Sequence, residues 1–429
     1  MKALFTLFIS TLLFVQFSCT EKKKTESTES NQVSMEIPPL YERHGELSNA
    51  VEWPKTKEKV DELKKKIKDN PSDIKSRLQV VVIYLSEARI TGEHPYYYPA
   101  VLKILNGVLS MDPKNFEALT FKSSVKMSQH QFSEARDLAE KARQINPSNA
   151  YVYGVLVDAN VELGNYKEAV LMSDKMQELK PSLESYSRAS YLREIYGNYP
   201  GSIAAMQLAV QAGLPGSEPQ CWSKNTLGHL YETTGQLKEA EIQYQQILAM
   251  RPSYAFALRG QAQIYKARKE YDKALTELEK AAKIMPEFSF HEEMADIYAL
   301  QGNAPKAKQK YADVVKMLGE DARSGHTVDL ELCKLFTKTA QLDSALVYGL
   351  KEYSRRPQNI DVNHALAKVY FLEKNTAKAK QHIDIAMSTG SKDPEILQIA
   401  SNIELAMGNK ESGNKLIAQA KKVNPKFVF

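Results

Sequence analysis

Few residues in this chain are of the kinds that carry chemistry. Only three of its 429 residues are cysteine, at positions 19, 221 and 333, with no Cys-x-x-Cys pair and no local zinc-site spacing. No glycine-rich phosphate loop of either common form is present. The stretch HEEMA (His291 to Ala295) begins like a zinc-peptidase helix but has alanine where the second histidine must stand. Ser72 to Lys75 and Ser123 to Lys126 have a bare Ser-x-x-Lys spacing with no second motif beside either, and the eight histidines are scattered. These absences leave no candidate catalytic residue, no cofactor and no metal ligand set, and they argue against an enzyme.

Charge of one sign is also lacking. The 57 basic and 52 acidic side chains leave a net charge of +5, and the dense lysine runs, Lys22 to Lys24 and Lys64 to Lys66, both lie near the N-terminus. A nucleic-acid footprint needs a clustered basic stripe, so nucleic acid is not an expected partner. Long apolar runs are missing too, with one exception. Behind Lys2, the fifteen residues Ala3 to Phe17 carry no charge. A membrane-spanning helix needs about 20 residues, so Met1 to Ser18 reads as an export signal.

Ser18-Cys19 follows, a small residue and then cysteine, and after it the polar TEKKKTESTESNQVS. This resembles a bacterial lipoprotein signal, in which the cysteine becomes the acylated first residue of the mature chain. It departs from the usual box at Gln16 and Phe17, where leucine and a small residue are expected. The resemblance implies removal of residues 1–18 and lipidation of Cys19. With Thr20 in place of a retaining aspartate, it implies an outer-membrane lipoprotein facing the periplasm. The polar stretch cannot bury enough surface to offset its ordering entropy, so residues 19–54 are assigned to a flexible tether. Its 16 or so most polar residues would span roughly 20–24 Å.

What the chain has in quantity is repetition. Prolines recur at 113, 147, 181 and 215 and again at 218, 252 and 286, in steps of 34. In CWSKNTLGHLYETTGQLKEAEIQYQQILAMRP, with Cys221 as position 1, Leu227 and Gly228 fall at 7 and 8, Tyr231 at 11, Ala240 at 20, Tyr244 at 24 and Pro252 at 32. The same register continues through Ala262, Tyr265, Ala274 and Ala281, and through Leu332, Cys333, Leu366, Ala367 and Ala379; LGNYKEA (from Leu163) and HQFSEA (from His130) are copies of one inter-helix turn. These residues and their spacing resemble the tetratricopeptide repeat over most of the chain. The physics is direct: two amphipathic helices pack antiparallel, small residues at 8 and 20 let their backbones approach, and larger groups fill the gaps.

The fold class expected is all-α, a right-handed superhelical solenoid of about ten helix pairs over residues 55–429. The first full repeat is at about 72–113 and a degenerate capping repeat at about 393–429. Cys221 and Cys333 lie three repeats apart, on the order of 25–30 Å at 8–10 Å per packed helix, too far for a disulfide. The stretch GEHPYYYPA (from Gly92) is expected to be an enlarged inter-helix turn, its tyrosines covering the end of the stack with hydroxyls outward.

The resemblance further implies a concave groove lined by the first helix of each repeat. In the fifth repeat it would present Trp222, Asn225 and His229, with Glu232 and Thr233; in the sixth, Phe256, Arg259, Gln263 and Lys266. Glu292 and Asp296 follow in the seventh, then Lys334 and Lys338, then His364 and Lys368. The function implied is a non-catalytic scaffold, held at an envelope membrane through its lipid alone and binding a protein or peptide partner. Two alternatives stay open: an outer-membrane glycan-binding lipoprotein, with Tyr96, Tyr97 and Tyr98 as an aromatic ledge, and an assembly factor of an envelope machine.

Overall fold

The computed structural model describes residues 36–428, among which there are 21 α-helices and no strand. Helix α1 (Trp53–Asp69) precedes ten antiparallel pairs. The first four are α2–α3 (Ile74–Thr91, His94–Met111), α4–α5 (Phe116–Ser128, Phe132–Ile145), α6–α7 (Ala150–Glu162, Tyr166–Leu179) and α8–α9 (Leu183–Ile195, Tyr199–Ala212). Three more are α10–α11 (Glu218–Thr233, Leu237–Met250), α12–α13 (Ala255–Ala267, Tyr271–Ile284) and α14–α15 (Phe288–Leu300, Ala304–Arg323). The last are α16–α17 (Asp329–Lys338, Leu342–Arg355), α18–α19 (Ile360–Leu372, Thr376–Ala386) and α20–α21 (Pro394–Ala406, Lys410–Val423). None of these helices is long and apolar enough to cross a membrane.

The two helices of a pair differ in how they are covered. The second helix buries one stripe: α5 hides Phe132, Ala135, Ala139 and Ala142, at spacings of three and four. The first helix is wedged between its partner and the neighbouring pairs, so α6 buries Val152 through Val157 without a break. Within each pair the chain turns on one residue of left-handed backbone, a glycine in six pairs and His130, Lys269, Ala340 or Lys374 in the others. Small residues bring the layers together as the repeat pattern requires. Tyr244 is buried between Gly228 of α10 and Gly260 of α12, and a Cβ at either would come within 2.6 Å or 2.4 Å of its ring. Cys221 and Cys333 are free thiols buried in separate apolar clusters.

Two boundaries differ from the sequence expectation. The far end of the assigned tether is part of the folded body. Ile37 is buried in the first core cluster, Trp53 is buried, and the Arg43 guanidinium is closed off against Glu87 at 2.7 and 2.8 Å, with its plane 4.9 Å above the Trp53 ring. A polar composition averaged over the segment hid these few anchoring side chains. The stretch HPYYYPA is the start of α3 rather than a turn. Pro95 occupies the first helical turn, where no N–H is required, and Pro99 is carried inside the helix.

The three tyrosines have inward tasks. Tyr96 donates to the Pro39 carbonyl at 2.5 Å and Tyr97 to the Tyr41 carbonyl at 3.3 Å; Tyr84 of α2 donates to Pro38 at 2.6 Å. Tyr97 and Tyr98 are buried and Tyr96 is half-buried. The hydroxyls of Tyr96 and Tyr97 are therefore taken up by the entering chain, and the three do not form one open ledge. Tyr96 and Tyr97, with Tyr84, fasten the chain entering the solenoid, while Tyr98 stacks on His94.

The solenoid also returns onto itself. Gln131 donates to the Gly325 carbonyl at 2.8 Å, and the Thr327 N–H donates to the Gln129 carbonyl at 3.0 Å. Arg356 bonds Glu162, Asn359 donates to the Glu162 carbonyl at 3.0 Å, and the Ile360 N–H donates to the Tyr166 hydroxyl at 2.8 Å. Thr389 donates to the Ile195 carbonyl at 2.8 Å. These partners lie 194 to 198 residues apart, about 5.7 repeats of 34, so the described chain winds through roughly two stacked coils. The segment Gly319 to Thr327, irregular in sequence, spans the end of the lengthened α15 and a loop on this seam.

Candidate functional site

The residues expected to line one groove fall into separate places. Trp222, on α10, is 44% exposed and opens into a cavity of about 640 Å³. Phe256, on α12, lines the same cavity and packs edge-on against Phe290 at 5.7 Å. The rest of the wall is drawn from distant parts of the chain: Leu47 and Val51 before α1, Arg89 of α2, Tyr98 of α3, and Met250, Arg251 and Tyr254 beside α11. Arg251 is fixed by its bond to the Gly216 carbonyl at 2.8 Å, and Arg89 reaches Glu218 at 4.0 Å. This is an apolar, aromatic hollow edged by guanidinium groups. Its Arg89, Arg251 and Tyr254 carry no signal in the repeat pattern and were not foreseen.

Three other expected residues are taken up by neighbours or partly enclosed. Arg259 forms an ion pair with Glu293 at 2.5 Å. Asn225 keeps its Oδ1 buried without a partner, and Gln263 borders a small hollow beside Glu232 and Asn424. His229 is exposed, with Nδ1 3.5 Å from the Glu232 carboxylate, which raises its pKa. The acidic seventh and basic eighth repeats largely neutralise one another, because Lys338 bonds both Glu292 at 2.7 Å and Asp296 at 2.9 Å.

Lys334 and Lys368 line a different cavity, of about 350 Å³, between the coils. One wall comes from α16 and α18 of the upper coil, with Lys334, His364 and Lys368; the facing wall is Tyr191, Glu194 and Tyr199 of α8 and α9. Burial pushes Glu194 up to about 7, with Asp393 and Asp361 adding to the shift and His229 opposing it. Burial likewise pushes His364 down to about 4, helped by the two lysines. Among the described residues no cluster of histidine, cysteine, aspartate and glutamate has the arrangement of a metal site. Cys19 and the export signal lie outside the described residues.

Comparison with known proteins agrees with the helix pairs. The tetratricopeptide-repeat family matches residues 126–187 and again 225–290. No curated protein matches the sequence. Among solved structures, the APC/C hetero-tetramer Cut9–Hcn1 is 14% identical with a TM-score of 0.43, the alignment covering 79% of this chain and 55% of that one. The chain thus spans about half the length of that relative. A thermophilic tetratricopeptide protein of Thermus thermophilus is 19% identical at a TM-score of 0.39, covering 47% of this chain and 99% of that one. A tetratricopeptide protein of Parabacteroides merdae is 20% identical at 0.34, covering 56% and 93%. By its repeats and its geometry, the chain carries tetratricopeptide repeats, built as an all-α solenoid of ten helix pairs.

Proposed function

We propose that the protein is a non-catalytic interaction scaffold whose partner, a protein or peptide, docks an apolar side chain into the hollow beside Trp222. The observation that carries this reading is a half-exposed tryptophan in a preformed cavity of about 640 Å³, flanked by Phe256, Tyr254, Arg89 and Arg251. Tryptophan, tyrosine and arginine around a desolvated pocket are the residues that dominate binding energy at protein interfaces. Tyr97 is buried and bonded to Tyr41, and Tyr96 is bonded to Pro39, which favours a protein partner over a glycan ledge at these residues.

The scaffold would act by localisation. Ser18-Cys19 at the end of an apolar run supports lipidation of Cys19, and residues 20–35 supply a polar spacer ahead of the anchoring segment at Ile37. The lipid would confine the protein to the periplasmic face of the outer membrane, and the solenoid would recruit its partner there.

The test is capture of partners by the tagged full-length protein from gently solubilised membranes, with Trp222→Ala and Cys19→Ala compared in parallel. Trp222→Ala should weaken capture by about 2 kcal/mol or more, roughly thirtyfold, without changing the melting temperature. Cys19→Ala should move the protein from the membrane to the soluble fraction. Undiminished capture by Trp222→Ala would place the interface elsewhere, and a soluble wild type would remove the anchor.

A further inference from the structure

The cavity between the coils is chemically unlike the Trp222 hollow and stands apart from the reading given there. Tyr199 and His364 line it, and the Tyr199 hydroxyl and His364 Nε2 are buried without a hydrogen-bond partner. Buried polar groups in native proteins are nearly always satisfied by protein or ordered water, so these two atoms mark this wall as a place for a polar neighbour. Lys338 and Glu292, also on this wall, neutralise each other. Lys334, Lys368, Asp361 and Glu395 line the cavity too and form no ion pair with another described residue; of the two further acids there, Asp393 is held by the Glu395 and Ile396 N–H groups and burial raises Glu194 to about 7.

These four charges are ordered. Lys334 and Lys368 occupy equivalent positions one 34-residue repeat apart, on α16 and α18, and Asp361 and Glu395 do the same at the starts of α18 and α20. Asp361 and Lys368 share α18 at a separation of seven residues, about 10 Å along the axis. A simple anion would meet the acidic ladder, and a simple cation the basic one. A molecule with a carboxylate at one end and an ammonium at the other satisfies both. An extended chain spans at most about 3.5 Å per residue, so two or three residues bridge the ladders. A volume of about 350 Å³ sits at the small end of ligand pockets, which run from about 300 Å³.

We propose that this inter-coil cavity binds a zwitterionic peptide of two or three residues. Its carboxylate meets Lys334 and Lys368, and its ammonium meets Asp361 and Glu395. The cavity requires both coils, because Tyr199 belongs to the fourth repeat and the charged residues to the eighth, ninth and tenth.

The experiment is calorimetric titration of the full-length protein with trialanine, N-acetyl-trialanine and trialanine amide, and with succinate as a plain dianion. Trialanine should bind, and each blocked form should bind about tenfold more weakly or worse. Lys368→Met should weaken trialanine by about tenfold and abolish the preference over the amide; Glu395→Gln should abolish the preference over the acetylated form. Both side chains lie at the cavity surface, and Lys334→Met repeats the basic test if Lys368→Met lowers the melting temperature. Equal binding of blocked and free peptides, tighter binding of succinate, an unaltered Lys368→Met affinity, or no trialanine binding at about 10 mM would each overturn the proposal.

Discussion

Glu194 shows what a single residue acquires from its surroundings. It sits near the end of α8, where the facing coil brings Asp361 and Asp393 toward it and burial raises it to about 7. In the unfolded chain it would titrate near 4.5. As pH rises from about 4.5 to 7, the unfolded chain releases this proton while the folded chain keeps it, so the contribution of Glu194 to stability falls across that window and stays low above it. Glu194→Gln should therefore reduce the loss of stability between pH 5 and pH 8 by on the order of 1–2 kcal/mol, read from denaturant midpoints at the two pH values. An unchanged difference would mean that the carboxyl is solvated. Tyr96 to Tyr98 carry the same lesson. Their identity marked a special place in the chain, but Pro39 and Tyr41, which Tyr96 and Tyr97 touch, have no regular spacing that would have disclosed the contact.

At the scale of elements, the inter-helix turns repeat in sequence but not in surroundings. Gly164 and Gly302 both have left-handed backbone, with φ of 80° and 74°. A Cβ on Gly302 would meet nothing within 4 Å, whereas one on Gly164 would lie 2.5 Å from the carbonyl carbon of Gln358 in the next coil. Gly302→Ala should cost about 1–2 kcal/mol, the left-handed penalty alone. Gly164→Ala adds a clash that only backbone movement relieves, and should cost about 3 kcal/mol or more. Thermal melts of the two variants check this, and equal losses would mean that the coils are not in contact there. The helices, their pairing and the small residues at their contacts were legible in the 34-residue period, since a helix pair must bury its apolar stripes wherever it stands. The turns' outer neighbours were not, because contacts about 194 residues apart obey no local rule.

For the whole molecule, the seam decides what is accessible. Arg356 is buried, bonds Glu352 within its own coil and Glu162 in the other, and stacks 4.8 Å over the Phe132 ring. Arg356→Ala leaves the partly buried Glu162 carboxylate without its partner and Glu352 with Arg355 alone, a loss of about 3 kcal/mol. Because the bond crosses the coils, we expect a larger radius of gyration by small-angle X-ray scattering with helical circular dichroism unchanged. A compact variant would show that the remaining seam contacts suffice. The concave groove implied by the family resemblance is thereby divided: Trp222 and Phe256 share one cavity, while Lys334 and Lys368 face another that includes residues of the fourth repeat.

The sequence by itself determined the helix pairs, their number and the side chains that join them, because each repeat carries its own apolar stripes, small contact residues and turn. Tertiary structure alone decided the pitch, and with it which residues face each other across the coils. A small rotation between neighbouring repeats, set by packing rather than by any motif, accumulates over about 5.7 repeats until the chain meets itself. The entry of the chain, the Trp222 hollow and the charged inter-coil cavity all depend on that accumulated angle or on contacts between segments far apart in sequence, which a local pattern does not encode.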